Sequence, residues 1–174
     1  MFASYLRLIV FSLGLLVGVQ VPGFVDQYAK RVGAHHSEVA SNFAGFQDTA
    51  NRYFSGSVEA LIEHHIASED GAFKDEARSI REMYDRLTAL TAELAALRGP
   101  LISQIIHVAF HPNREILDET RSEYSYTVPL NPAAVVSGLT TGTALAMLIE
   151  ALFFGLVHVL LPRRGPPRRA ISVR

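Results

Sequence analysis

Hydrophobic and polar positions are segregated along this chain. From Leu8 to Val25 no residue is charged, and from Ala133 to Leu161 only Glu150 is. A helix needs about 20 residues to cross a hydrocarbon core ~30 Å thick. The first run is close to that minimum, and the second is long enough to tilt or protrude. Asn131 and Pro132 mark the start of the second run. The asparagine side chain suits a helix cap, and proline suits the first helical position, where no N–H is needed. Pro162 marks its end. The first run reads as an uncleaved anchor, because Gly18-Val19-Gln20-Val21-Pro22 lacks the small residues of a signal cleavage site.

Between the runs the pattern is helical. Phe24, Tyr28, Val32, Val39, Phe43, Phe46, Ala50 and Tyr53 recur at steps of three and four, apart from one step of seven across His35. Ser55-Gly56-Ser57 ends that stripe. A short helix is expected over Val58–Ala67, with Leu61, Ile62 and Ile66 on one face. After Gly71 a long helix runs from about Ala72 to Arg98 on Phe73, Ala77, Ile80, Tyr84, Leu87, Leu90, Leu94 and Leu97. Gly99-Pro100 stops it. Leu101–Phe110 is apolar nearly all round, as in a bundle core or a helix on a membrane surface. Asn113–Ser122 is a polar helix. Tyr124 and Tyr126 suit the headgroup level ahead of the second span. No strand pattern is evident. The expected fold is all-α: two transmembrane helices flanking an extracytoplasmic helical-hairpin, coiled-coil-like bundle. Its parts are 1–22, a first span; 23–131, the outer domain; 132–162, a second span; and 163–174, a basic tail.

Charge gives the orientation. Arg163, Arg164, Arg168, Arg169 and Arg174 follow the second span with no acid among them. By the positive-inside rule this tail is cytoplasmic, two spans return the N-terminus to the same side, and residues 23–131 lie outside. That segment holds ten Lys/Arg and sixteen Asp/Glu, a net of −6. The whole chain balances 16 basic against 17 acidic residues, which argues against nucleic acid as a partner. Cysteine is absent, which removes disulfides, thiolate metal sites and a cysteine nucleophile.

Two motifs flank the spans: Pro22-Gly-Phe24 with Gln27-Tyr28-x-x-Arg31-x-Gly33, and Tyr124-x-Tyr126 leading into Val128-Pro129-Leu130. Their form and placement resemble a proteobacterial inner-membrane family known only as a domain of unknown function. The resemblance covers nearly the whole chain. It implies bacterial origin, two spans and a helical domain outside, and it brings no activity and no catalytic residues.

The spans carry small-residue and polar candidates. Gly14-x-x-x-Gly18 and Gly138-x-x-x-Gly142 let helix backbones approach closely. Counted from the outer ends at 1.5 Å per residue, the two pairs lie at overlapping depths of about 6–12 and 9–15 Å. They suit packing between the two spans or self-association. Glu150 is an acid near the middle of a span, where such a group faces a partner or water. Arg7 lies at a depth only about 4–5 Å different by the same rise, and His158 follows Glu150 by eight residues. A structural ion pair, a contact to another membrane protein, and a proton path through Glu150 and His158 all fit.

Outside the spans, His107 and His111 have the i, i+4 spacing of weak metal candidates. No catalytic metal, nucleophile-elbow, phosphate-loop or dinucleotide motif occurs. The expectation is a non-enzymatic envelope scaffold or accessory subunit without a cofactor. Its expected partners are anionic lipid at the arginine tail, at about 1 kcal/mol per charge, and a second copy or another inner-membrane protein. The alternatives are a subunit of a proton- or ion-linked complex working through Glu150, and a periplasmic sensor whose short tail leaves output to a separate protein.

Overall fold

A computed structural model of the chain describes residues 2–126 and 131–160, with side chains over 5–126 and 131–155. Val128, Pro129, Leu130 and the arginine tail lie outside the described residues, as does the side chain of His158. Among the described residues the protein is all-helical. The helices are α1 (Phe2–Tyr53), α2 (Val58–Ile66), α3 (Gly71–Ala96), α4 (Leu101–Phe110), α5 (Arg114–Ser122) and α6 (Pro132–Leu160).

Side-chain caps explain most of the helix starts. Ser57, Asp70 and Asn113 accept from the backbone N–H of Ala60, Ala72 and Ile116 at the starts of α2, α3 and α5. Asn131 Oδ1 accepts from Ala134 N–H at 2.8 Å at the start of α6. After α1 the chain turns through Ser55 (φ 54°) and Gly56 (φ 85°), and the Gly56 N–H returns to the Ala50 carbonyl at 3.0 Å. Pro22 lies inside α1 and does not end it. Its missing N–H removes one rung of the hydrogen-bond ladder.

The described residues divide into two compact units, 2–20 with 131–160, and 21–126. The first consists of the start of α1 and α6, and contains the apolar stretches of two helices long and apolar enough to cross a membrane. Its surface is apolar: Leu8, Ile9, Leu13, Leu16 and Val17 are exposed, as are Val136, Leu148, Leu152 and Phe154. Water is a poor solvent for such a surface and lipid a good one.

The second unit has two hydrophobic clusters, with the partly buried Leu87 packed against both. Val25, Tyr28, Val32 and Val39 of α1 cluster with Leu90 and Leu97, Val108 of α4, and Ile116 and Leu117 of α5. Phe43 and Ala50 cluster with Leu61 and Ile62 of α2 and with Ala77 and Ile80 of α3. Tyr28 reaches Glu93, His36 reaches Thr91, and Phe43 stacks on Tyr84 at 5.7 Å. The α1 partner number rises as the α3 number falls, so these two helices are antiparallel.

Three stripe positions differ from the sequence expectation. Tyr53, Ile66 and Phe73 sit near helix ends beside the α1–α2 and α2–α3 turns and are exposed. There the interhelical layer stops, and Phe73 stays exposed although its ring meets His65 at 5.3 Å. α4 also differs from a helix covered on all sides: one face packs through Leu101, Ile105 and Val108, while Ile102, Ile106 and Phe110 are exposed.

Candidate functional site

In the first unit the small residues form a seam. A Cβ added to Gly14 would lie 2.9 Å from the Cα of Gly142. One on Gly18 would lie 2.7 Å from the Ser137 carbonyl oxygen and from Thr141 Cβ. On Gly138 it would meet Val19 Cγ2 at 2.5 Å, and on Gly142 the Phe11 carbonyl oxygen at 2.8 Å. No side chain fits at these four positions without separating the backbones. The α1 partners fall in number as the α6 partners rise, so the two helices run antiparallel along the seam.

Arg7 Nη2 and Glu150 Oε1 meet at 3.2 Å, with both side chains partly exposed. A groove of about 250 Å³ opens beside the pair, lined by Leu6, Ala146, Ile149, Phe153 and Phe154 together with Arg7 and Glu150. An ion pair of this kind answers the cost of each charge in hydrocarbon by supplying the other. His158 lies on α6, with its side chain outside the described residues.

In the second unit one stripe of α1 organises the polar contacts. Phe24 meets Tyr124 edge-on at 5.3 Å, and Tyr124 meets Tyr126 at 5.1 Å. Gln27 Nε2 donates to Ser125 Oγ at 3.2 Å. Arg31 donates to Glu119 Oε1 and Glu123 Oε2, both at 2.6 Å, and His35 Nε2 donates to the other Glu119 oxygen at 2.7 Å. Positions 24, 27, 28, 31 and 35 share one helix face. The motif after the first apolar run therefore seats α5 and the tyrosine segment that follows it. Gly33 meets no neighbour within 4 Å of an added Cβ, so packing does not demand glycine there.

Tyr28 is the buried centre, with no exposed surface. Its hydroxyl donates to Glu93 Oε1 at 2.5 Å and accepts the Asn113 N–H at 2.8 Å. His107 Nε2 donates to the same Glu93 oxygen at 2.8 Å. Residues of α1, α3 and α4 and the N-cap of α5 thus converge on two side chains. Burial, reinforced by the Glu93 carboxylate, pushes the Tyr28 phenol far above its ordinary range, so it stays protonated. The hydrogen bond from His35, with the charges of His35 and Arg31, holds the Glu119 carboxyl below the usual carboxylate range. The Glu123 carboxylate raises Arg31 further.

His111 is the C-cap of α4, its N–H returning to the His107 carbonyl at 2.8 Å, one residue beyond the last helical residue Phe110. His107 is engaged by Glu93. Among the described residues no group of three or more His, Cys, Asp or Glu side chains is clustered to hold a metal ion. Sequence reasoning did not find Glu93, Asn113, Glu119 or Glu123. The one available signal was the seven-residue step in the α1 stripe: His35 occupies the missing inward position and meets Glu119 there.

These features define a helical protein with two helices capable of crossing a membrane, one half-exposed ion pair in their apolar unit, and interhelical polar clamps in the other. The chain belongs to the family described as protein of unknown function DUF2937, which matches residues 2–161. No curated protein and no solved structure matches it.

Proposed function

We propose that this is a two-span inner-membrane protein with both termini in the cytoplasm. Residues 21–126 form a periplasmic unit, and the protein acts without catalysis as an envelope scaffold or accessory subunit that presents this unit to a partner. The observation that carries the non-catalytic reading is the use made of the partly buried ionisable groups. Glu93, Glu119, Arg31, His35 and His107 each bridge one helix to another, or to its cap. The hydroxyl with the largest displacement in acidity belongs to Tyr28, which is fully enclosed and meets no solute. The orientation is supported by the five arginines after Leu161 and the net −6 of residues 23–131. The four seam glycines are taken up by the chain's own two helices packing on each other. A second copy would therefore have to dock elsewhere.

Crosslinking in intact membranes, followed by mild-detergent purification and mass spectrometry, tests the role. A stoichiometric envelope protein is expected, and recovery of the chain alone refutes the scaffold reading. The chain has no cysteine, so single introduced cysteines test the topology. An impermeant maleimide should label Ser57→Cys in spheroplasts and leave Ser172→Cys unlabelled; the reverse pattern refutes the orientation.

The open groove at Arg7–Glu150 favours a second reading, a subunit of a proton- or ion-linked complex with Glu150 as the working group. Glu150→Gln separates the two. Under the scaffold reading only assembly changes, while under the second a transport-linked phenotype is lost with the complex intact.

A further inference from the structure

We propose that α4 is a membrane-surface helix, lying in the bilayer interface with Ile102, Ile106 and Phe110 turned into lipid. The proposal rests on the two-span reading above and adds an attachment that this reading does not require. These three side chains follow one another at four-residue steps on one face and are 68%, 52% and 74% exposed. The opposite face is committed to the interior: Val108 is buried there, and Leu101 and Ile105 pack on the cluster containing Val25 and Tyr28, with Phe24 at its edge. Phe24 and Val25 are the last residues of the charge-free run that begins at Leu8. Tyr28 of α1 and His107 of α4 meet on one Glu93 oxygen, which sets the helix about one turn along α1 from the end of the apolar run, near where a bilayer surface falls.

Charge selects lipid over an acidic or neutral partner. Residues 23–131 carry sixteen acids, yet residues 94–114 contain none. The charged residues in that window are Arg98 and Arg114, one at each end of α4, and both are exposed. α4 alone among α2–α5 has no Asp, Glu, Lys or Arg within it. An apolar face flanked by exposed arginines is the pattern of a helix held at an anionic interface, its apolar side chains entering the boundary between headgroups and acyl chains.

The protein contains no tryptophan, so a single introduced one is an unambiguous probe. Full-length Phe110→Trp, Ile102→Trp, Leu16→Trp and Tyr53→Trp are reconstituted in phosphatidylethanolamine–phosphatidylglycerol vesicles with and without brominated acyl chains. Leu16 is an exposed position within the first apolar run, and Tyr53 is 28 residues beyond Val25 on α1, ~42 Å by the helical rise. The expected result is strong quenching of Leu16→Trp, quenching of Phe110→Trp and Ile102→Trp to about half that extent or more, as for side chains at the acyl boundary, and none of Tyr53→Trp. Quenching of Leu16→Trp with none at positions 102 and 110 overturns the proposal and leaves the two-span reading standing. Blue-shifted but unquenched emission at 102 and 110 that depends on protein density overturns it in favour of a second copy. Absence of quenching at position 16 as well refutes the two-span reading itself.

Discussion

Tyr28→Phe removes one oxygen from the centre of the polar clamp and leaves the ring in place. Two hydrogen bonds are lost, the donation to Glu93 at 2.5 Å and the acceptance from Asn113 N–H at 2.8 Å. A hydrogen bond to a charged group contributes about 1.5–3 kcal/mol, and a buried donor left without a partner costs about 1–3 kcal/mol. Two features reduce the sum. Glu93 keeps His107 and is not left alone, and Asn113 is only partly buried. A net loss of about 2–3 kcal/mol is expected. At roughly 4 °C per kcal/mol or more for a unit of this size, the thermal midpoint falls by roughly 8 °C or more.

The assay is thermal unfolding of the full chain in mild detergent, followed by helical circular dichroism. Tyr53→Phe, at a 75% exposed position, is the control and should not move the midpoint. The pH dependence is a second readout. Tyr28's folded pKa is raised, so its contribution is complete below the unfolded tyrosine value, about 10, and declines as pH rises above it. The gap between wild type and Tyr28→Phe should be constant from pH 6 to 9 and narrow above pH 10. A loss under about 0.5 kcal/mol, the scale of an ordinary surface change, would refute the assignment of Tyr28 as the clamp, as would a gap that stays constant beyond pH 10.

Three further outcomes follow from the same geometry. Gly18→Val places side-chain atoms where a Cβ alone already meets the Ser137 carbonyl at 2.7 Å, so overpacking should cost about 1–3 kcal/mol in an SDS titration; Gly155→Val, with no neighbour within 4 Å, should leave the midpoint unchanged. Glu119's folded pKa is lowered, so its contribution is present above the unfolded carboxylate value and is lost as pH falls through the folded one. The thermal midpoint should therefore drop below about pH 4.5, and Glu119→Gln should flatten that drop; an unchanged acid limb counts against the Arg31–Glu119–His35 clamp. Gly33→Ala, inside α1 with open space around it, should stabilise by about 0.5–1 kcal/mol, and a destabilised variant would mean that glycine is needed there for a contact absent from the monomer.

What could be read from the sequence is what depends on counting along one helix. The cap at Asn131, the turn at Ser55-Gly56 and the inward stripe from Phe24 to Ala50 are local, because a helix fixes the direction of every third and fourth side chain. The depths of Gly14, Gly142, Arg7 and Glu150 are counts from Pro22 and Pro132, which is why arithmetic brought them to comparable levels before any contact was known. The clamps are different in kind. Arg31 and Glu119 are 88 residues apart, Tyr28 and Glu93 65 apart, and no local period relates them. Their pairing depends on which helix lies beside α1 and at what axial offset, and many offsets bury the same apolar stripe. The polar residues remove that freedom. Sliding α5 by one turn along α1 would keep Ile116 and Leu117 against apolar neighbours, yet it would separate Arg31 from both carboxylates and strip the Asn113 N–H of its acceptor. The stripe therefore drives the helices together, while Tyr28, Arg31 and His35 set the register. That division of labour explains why the residues next to the first apolar run combine aromatic, amide and basic side chains where an apolar heptad alone would have sufficed for burial.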